Sequence, residues 1–290
     1  MKICRFNDER LGVVLNDEVV DVTAVTRELP AFRWPLPHGD ALIERLDTLL
    51  PAIRELAKRG ERQRLPAVRL LSPVANPGKI IGIGRSYKGH VEEAAKDPAM
   101  SMHKAATAPD TIRMFIKANT ALVGPSQGVA LRFLERRNDP EAELSIVIGR
   151  KGTDIPRSRV MDYVAGYAIG LDMTLRGPEL PSSRKSIDSY AVLGPWLVTP
   201  DEIEKPGEID MTLRVNGEVR QRANTRDLLF SIPAIIENAA KFYTLYPGDI
   251  IMTGTPEGVA PVQPGDVMSI DATGIGTMEV PVRAHLGASS

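Results

Sequence analysis

The distribution of apolar residues after residue 75 is the feature that most constrains the fold. These residues occur in short runs bounded by glycine, proline or polar turn residues, a pattern that predicts strands. The predicted strands are Lys79–Gly84, Met114–Lys117, Leu144–Gly149, Val164–Leu171, Tyr190–Val198 and Met211–Val215. Helical patterns are few here, so this part of the chain lacks the alternation of strands and helices that is typical of a nucleotide-binding fold.

Turn signals point to the same architecture. Asn216-Gly217 is the strongest short signal for a hairpin, and it joins Met211–Val215 to a further run at Glu218–Arg222. One helix is predicted from Ser231 to Phe242, capped by the serine side chain. We therefore predict a mainly β (α+β) fold with peripheral helices.

The first 75 residues show a different pattern. Asn16-Asp17 lies between alternating apolar residues and predicts a hairpin. From Leu42 to Ala57 apolar residues recur every three or four positions, which predicts a helix, and Pro51 predicts a kink or a division into two short helices. We place a small N-terminal α+β domain at residues 1–75 and a larger domain at residues 76–290.

Composition excludes several classes of function. The formal net charge of −1 at pH 7 offers no basic surface for nucleic acid or for an anionic membrane. Cys4 is the only cysteine, which excludes an internal disulfide and a cysteine-based zinc site. The first residues do not resemble a signal peptide, and no apolar stretch approaches the roughly 20 residues that cross a bilayer. We expect a soluble, cytoplasmic protein.

Three acidic residues form the first candidate site. Glu141 and Glu143 are two apart and run directly into a predicted strand, so their side chains share one face. Asp172 ends another apolar run. Carboxylates without thiols suit Mg²⁺, Mn²⁺ or Ca²⁺. The alternative is that these are ordinary solvated charges at strand ends, which is the more common situation for an isolated Glu-x-Glu.

A histidine and a glutamate form the second candidate. If residues 88–95 are helical, His90 and Glu93 lie on one face, and a carboxylate beside an imidazole favours a general base. A solvated surface histidine is the alternative. Gly82-x-Gly84 precedes them, but no third glycine or P-loop lysine follows, so a phosphate loop is excluded.

Two further segments carry candidate residues. Lys185 can place positive charge beside an oxyanion, or it can be a surface lysine. The glycine-rich segment at Thr253–Gly258 can offer hydroxyl and backbone donors to a carboxylate, or it can simply be a sharp turn.

Five segments in the same order resemble the fumarylacetoacetate hydrolase family. They are GRSYKGHVEEA, EAELSIVIGR, VAGYAIGLDMT, RKSIDSYAVLGPWLVT and GDIIMTGTPEGV, and they are distributed over residues 79–280, nearly the whole larger domain. Any one of these segments is weakly specific, whereas five in register are specific. The resemblance implies a β-rich catalytic domain, a homodimer and a divalent metal, Mg²⁺ or Mn²⁺.

The resemblance also implies roles for individual residues. Glu141, Glu143 and Asp172 match the family's metal ligands, and His90 with Glu93 matches its catalytic pair on a segment that closes over substrate. The remaining matches are the active-site Lys185 and three residues that bind substrate, namely Arg85, Arg176 and Thr255.

Two positions depart from the family's pattern. Glu179 stands where many members have a glutamine near the substrate, so the distal end of the pocket is expected to differ. The stretch from Ala95 to Arg113 is longer than is usual after the catalytic pair.

The resemblance implies a small keto-acid substrate. A water-activating base favours hydrolysis of a carbon–carbon bond in an acylpyruvate, such as fumarylpyruvate or maleylpyruvate, into pyruvate and a carboxylic acid. Two other reactions pass through the same enolate, decarboxylation of an oxaloacetate-like acid and isomerisation of a 2-hydroxy-dienoate. A binding protein without catalysis is a third alternative, but such a relative is expected to lose the ligands or the catalytic pair.

Overall fold

In the computed structural model, residues 1–101 and 111–286 are described. The strands are β1 (Lys2–Phe6), β2 (Arg10–Leu15), β3 (Glu18–Asp21), β4 (Arg62–Arg64), β5 (Leu70–Leu71), β6 (Ile80–Gly84), β7 (Arg113–Lys117), β8 (Leu122–Val123), β9 (Val129–Leu131), β10 (Asn138–Asp139), β11 (Ala142–Ile148), β12 (Val164–Asp172), β13 (Thr174–Leu175), β14 (Ala191–Val198), β15 (Asp210–Val215), β16 (Glu218–Asn224), β17 (Ile250–Met252), β18 (Val267–Ala272) and β19 (Gly276–Ala284). The helices are α1 (Ala41–Glu44), α2 (Leu46–Arg59), α3 (Lys88–Lys96), α4 (Pro98–Ser101), α5 (Pro181–Arg184) and α6 (Ile232–Phe242). The predicted sheet-rich α+β fold is confirmed.

A large mixed sheet forms the centre of the molecule. Its strand order is β4-β3-β2-β1-β14-β12-β11-β17-β6-β7, with β5 beside β1 and β8 beside β14. Strands β11 and β14 are buried along their whole length, which explains why they read in the sequence as continuous apolar runs. The sheet therefore gives the residues at the ends of its central strands a rigid, dry environment.

A smaller sheet packs beside the large one. Its order is β16-β15-β18-β19-β9, and the predicted hairpin between β15 and β16 is confirmed, with Asn216 and Gly217 both at positive φ. Positive φ at both central residues is what a type I′ turn requires. The helix α6 begins after Ser231, whose hydroxyl accepts from the Ala234 N–H as predicted.

The sequence predicted a kink or a division into two short helices at Pro51. Two helices are present, but the break between them is not at Pro51. The helix is divided at Arg45, and α2 continues through Pro51. Asp40 caps α1 by accepting from the backbone N–H groups of Leu42 and Ile43, whereas Arg45 ends it. Pro51 lies near the start of α2, where the missing N–H costs a single hydrogen bond and the helix tolerates it.

The segment before residue 75 shares the large sheet with the rest of the chain. Strand β1 pairs antiparallel with β14, in the register Lys2 to Val198 and Ile3 to Leu197. The division into domains 1–75 and 76–290 stays a prediction. No helix within the described residues combines the length and the apolar character needed to cross a bilayer.

Candidate active site

Three acidic side chains meet at one end of the central strands. Glu141 immediately precedes β11, Glu143 lies on it, and Asp172 is the last residue of the neighbouring β12. The Asp172 N–H donates to the Glu141 carbonyl at 2.9 Å, which fixes the two strand ends beside each other. One carboxylate oxygen from each residue lies within 4.8 Å of the other two, and all three side chains are buried. The structure thus brings together the residues that the sequence nominated.

A third strand end completes this cluster. Strand β17 pairs with β11, and the turn that follows directs the Gly254 N–H to Glu143 Oε2 at 2.6 Å. Gly254 has φ +96°, and a Cβ at this position would overlap Ser86 Oγ. Glycine is therefore required here by both backbone conformation and space.

Buried cations compensate the carboxylates. Lys185 Nζ donates to Glu141 at 2.7 Å, to Asp172 at 2.6 Å and to Thr174 Oγ1 at 2.6 Å, so all three of its protons are used. Lys117 Nζ, which is fully buried, donates to the other oxygen of Asp172 at 2.5 Å. Lys185 therefore acts as a fixed positive charge that holds two of the carboxylates in place.

Arg176 is a second cation that binds Glu141. Its guanidinium donates to Asp139 at 2.7 Å and to Glu141 at 2.8 Å. Burial alone lowers the pKa of Arg176, but the negative charges of Glu141 and Asp139 outweigh burial and the net pKa is raised. Arg176 therefore stays charged and restrains the Glu141 carboxylate.

The three carboxylates differ in their electrostatic surroundings. Burial and the nearby Asp172 charge raise the pKa of Glu143 well above its ordinary value. Burial also raises the pKa of Glu141, but Lys185 and Arg176 more than offset burial and the net pKa is lowered. Burial lowers the pKa of Lys117 and its pairing with Asp172 only partly opposes this shift. The buried negative charge at Glu143 is thus the one that protein cations compensate least.

The donor set fits a divalent cation. Hard carboxylate oxygens at mutual distances within 4.8 Å suit Mg²⁺ or Mn²⁺. The positive charge of such an ion would offset the free-energy cost of ionising the buried Glu143. Glu141, Glu143 and Asp172 are the residues that would hold it.

The histidine and glutamate meet on helix α3. His90 Nδ1 lies 3.2 Å from Glu93 Oε2, and Glu93 Oε1 accepts from the Gly258 N–H at 3.0 Å. Burial raises the pKa of Glu93, but the hydrogen bonds from His90 and Gly258 prevail and the net pKa is lowered. An ionised Glu93 fixes the imidazole with Nδ1–H as donor, which leaves Nε2 as the basic nitrogen.

Glu141 of the cluster and His90 of the pair both line a cavity of about 560 Å³. Its lining includes the sequence-nominated residues Arg85, His90, Glu141, Arg176, Lys185 and Thr255. The Thr255 hydroxyl donates to the Ala142 carbonyl at 3.0 Å and accepts from Gln221 at 2.9 Å, so its proton is already used. Arg85 follows β6 with φ +56°, an unusual conformation for a residue other than glycine.

The two departures from the family's pattern have different outcomes. Glu179 is not among the residues that line this cavity, and Arg136 binds its carboxylate with two hydrogen bonds at 2.9 and 2.8 Å. This pairing lowers the pKa of Glu179 to about 2. Of the segment 95–113, residues 102–110 lie outside the described residues.

Sequence reasoning missed three residues of this site. Lys117 and Asp139 are buried ion-pair partners of the cluster, and Arg184 lines the cavity. Lys117 carried a usable signal, because it is a charged residue at the end of a predicted apolar strand. Arg184 carried a weaker signal, because it begins the segment RKSIDSYAVLGPWLVT beside Lys185. Asp139 carried none that separates it from surface charges.

The family model described as "Fumarylacetoacetate (FAA) hydrolase C-terminal" matches residues 79–283. This range contains the whole cluster and the His90–Glu93 pair. The chain belongs to the fumarylacetoacetate hydrolase family. Family membership agrees with the resemblance and its segments, which lie in the same range.

Individual members of the fumarylacetoacetate hydrolase family are similar over nearly the whole chain. The maleylpyruvate hydrolase of Aquipseudomonas alcaligenes is 54% identical over 286 residues, 98% of this chain and 100% of that protein. A mitochondrial oxaloacetate tautomerase of Xenopus laevis is 32% identical, over 94% of this chain and 86% of that protein.

A solved structure of the family gives the same architecture. The maleylpyruvate hydrolase from Sphingobium sp. SYK-6, solved in complex with manganese(II) ion and pyruvate, has a TM-score of 0.84 and 38% identity to this chain. The match covers 99% of this chain and 100% of that one.

Proposed function

We propose that this protein is a divalent-metal-dependent hydrolase that cleaves an acylpyruvate, of the maleylpyruvate or fumarylpyruvate type, into pyruvate and a carboxylic acid. The observation that carries the proposal is the cavity that both Glu141, a member of the buried carboxylate cluster, and His90, the partner of Glu93, line. The 54% identity to a maleylpyruvate hydrolase supports the choice of substrate.

The carboxylate cluster defines one end of the reaction site. A divalent ion bound by Glu141, Glu143 and Asp172 supplies Lewis acidity towards the carboxylate and keto oxygen of a pyruvyl group. Lys185 lies against the same cluster and adds positive potential where negative charge develops on that keto oxygen. Arg176 and Lys117 hold Glu141 and Asp172, so the ligand oxygens do not have to reorganise.

The His90–Glu93 pair defines the other end. His90 takes a proton from water, and Glu93 stabilises the imidazolium that forms. The water oxygen bonds to the distal carbonyl carbon, and the bond between that carbon and the pyruvyl methylene then breaks. The electron pair passes to the pyruvyl group as an enolate, and the proton held by His90 returns to the methylene carbon. One water is consumed, and pyruvate and a carboxylate leave.

The remaining substrate-binding roles are part of the same proposal. Arg85 meets a substrate carboxylate from the β6 side of the cavity, and Thr255 lines the wall beside Glu141. We also propose a cytoplasmic homodimer, with the N-terminal domain at 1–75 and the catalytic domain at 76–290. Light scattering of the purified protein tests the homodimer.

The alternative reactions use the same enolate without water. The similarity to an oxaloacetate tautomerase favours keeping an oxaloacetate-directed activity as the second candidate. The non-catalytic alternative is disfavoured because the cluster and the base are both present in one cavity.

A substrate panel with and without metal tests the proposal. Pyruvate release from maleylpyruvate, fumarylpyruvate and oxaloacetate, together with the keto–enol conversion of oxaloacetate, is followed with Mg²⁺, with Mn²⁺ and with a chelator. We expect metal-dependent hydrolysis of the acylpyruvates to exceed any reaction of oxaloacetate. Metal should also raise the melting temperature, because an ion at a hundredfold excess over its Kd stabilises the fold by about 2.7 kcal/mol. Faster turnover of oxaloacetate would favour the second candidate.

A further inference from the structure

The cationic side chains of the cavity wall differ in whether they form ion pairs with carboxylates of the protein. Arg176 is bound by Asp139 and Glu141, and Lys185 is bound by Glu141 and Asp172. Arg184 also lines the cavity, next to Lys185 in sequence. Among the residues that the structure describes, no carboxylate oxygen lies within 4.0 Å of an Arg184 nitrogen.

The hydrogen bonds of Arg184 are also incomplete. Its Nε is buried and has no acceptor within the described part of the chain. Its one hydrogen bond there is from Nη1 to the Leu175 carbonyl at 3.5 Å, which is long for such a bond. A buried donor without an acceptor is destabilising, so an anion from a bound ligand would stabilise this guanidinium.

The local fold explains why Arg184 differs from its neighbours. It is the last residue of α5, a single turn that begins at Pro181, and Lys185 ends that turn. Lys185 extends to the carboxylate cluster, whereas Arg184 remains beside Leu180 and Pro181 on the cavity wall. Burial lowers the pKa of Arg184, and the more distant charges of Glu141, Asp172 and Glu179 oppose this shift only in part.

Arg85 and Arg113 also line this cavity, but much of the wall between the arginines is apolar. Met100, Met114 and Phe115 supply apolar surface, and an unpaired carboxylate is costly to bring into such surroundings. A substrate with a carboxylate at each end therefore needs a cation away from the metal ligands. A guanidinium can meet that carboxylate with two parallel hydrogen bonds.

We propose that Arg184 binds the second carboxylate of a dicarboxylic acylpyruvate and thereby selects such substrates over monocarboxylic acylpyruvates. This inference rests on the proposed function and adds a specificity-determining residue to it. Arg184 is given no part in the chemical step, because its one hydrogen bond within the described residues goes to the Leu175 carbonyl and not to His90 or a ligand carboxylate.

The test compares two substrates in two variants. Arg184→Met keeps the length of the side chain and removes the charge, and Arg184→Lys keeps the charge but not the paired donors. With maleylpyruvate, Arg184→Met should lose about 10- to 100-fold in kcat/KM, mainly through KM, as expected for losing hydrogen bonds to a charged group. With acetylpyruvate, which has no second carboxylate, the loss should be within about threefold. Arg184→Lys should lie between the wild type and Arg184→Met.

Binding of oxalate gives a readout that is independent of turnover. Oxalate mimics the pyruvyl end alone, so its Kd in the presence of Mg²⁺ should be the same in wild type and Arg184→Met. Arg150→Met serves as the matched control, because Arg150 is exposed and paired with Asp47 on the surface.

Three results would overturn the assignment. Equal losses on both substrates would make Arg184 a general structural residue, and weakened oxalate binding would place it at the pyruvyl end. A selective loss in Arg85→Met with none in Arg184→Met would assign the second carboxylate to Arg85. The proposed function fails separately, if wild-type enzyme with metal cleaves no acylpyruvate at all.

Discussion

The carboxylate cluster and the His90–Glu93 pair share one cavity but are held in opposite ways. Glu141, Glu143 and Asp172 lie at the ends of fully paired central strands. The side chains of Glu141 and Asp172, which form ion pairs, are at most 6% exposed. The pair lies on the nine-residue helix α3, and the Glu93 side chain is 27% exposed. Within the described residues, the pair makes one hydrogen bond to a distant segment, which the Gly258 N–H donates to Glu93.

This difference teaches how the site divides its work. The cluster is part of the sheet core, so changing it disturbs charge balance, ion binding and the fold together. The catalytic pair can be changed with the cluster left intact. The following predictions separate the two regions.

Removing a ligand should have the largest effect. Asp172→Asn keeps the size of the side chain but removes the charge that Lys117 and Lys185 share, and it leaves two carboxylates for the ion. We expect activity below detection and loss of metal binding by calorimetry, with the same result for Glu141→Ala and Glu143→Ala. Exposed Glu55→Ala is the control. Full metal-dependent activity in any of the three would refute the ligand assignment.

Removing the base should have the next largest effect on turnover. His90→Ala should lower hydrolysis by roughly 10²- to 10⁴-fold, the range for losing a general base. Metal affinity should be nearly unchanged, because His90 lies on α3 and bonds to Glu93. Parallel measurement of kcat and metal Kd checks this, and a joint collapse would make His90 a ligand.

The buried lysine should matter for stability more than for chemistry. Lys117→Met leaves one oxygen of Asp172 without its cation and should lower the free energy of unfolding by about 3 kcal/mol. Added Mg²⁺ should recover part of this loss, because the ion supplies the missing positive charge. Urea denaturation with and without Mg²⁺ measures both quantities; a loss that metal leaves unchanged would show that Lys117 stabilises the fold independently of the ion site.

The smallest and most selective effect is expected at Glu93. The pKa of Glu93 lies below its ordinary value, so the carboxylate remains ionised throughout a neutral assay range, and Glu93→Gln removes the charge that stabilises protonated His90. Acylpyruvate hydrolysis should fall more than any reaction of oxaloacetate, and it should recover partly at high pH, where hydroxide replaces the activated water. Rates of both reactions against pH decide this; equal losses would remove the reason to prefer hydrolysis.

The sequence predicted the cluster because the Glu141–Glu143 spacing is local and the family resemblance supported Asp172. Two residues apart on a strand share a face, and antiparallel pairing of β11 with β12 then brings Asp172 to Glu141. The predictions of the family and of the sheet-rich fold are also confirmed. They rested on motifs that lie at strand ends and turns. The roles of the nine nominated residues stay proposals until they are tested.

The ion-pair partners were not predictable because they depend on topology. Lys117 is 55 residues from Asp172 in sequence, and the two meet only because β7 and β12 belong to the same sheet. The break at Arg45 was missed for a different reason. A short capped turn at Asp40 competes with the longer helix, and the apolar period does not reveal which residue separates them.

The pairing of β1 with β14 has a consequence for how the chain folds as it is synthesised. Lys2 and Ile3 have their partners at Val198 and Leu197, so the start of the first strand keeps an open edge until most of the chain has been made, whereas Arg5 and Phe6 pair earlier with β5. Closing so long a loop is slow, and an open strand edge is prone to pair with another chain. Early folding of the first hairpin therefore protects only one side of β1, and expression at low temperature or with a chaperone should increase the yield of soluble protein.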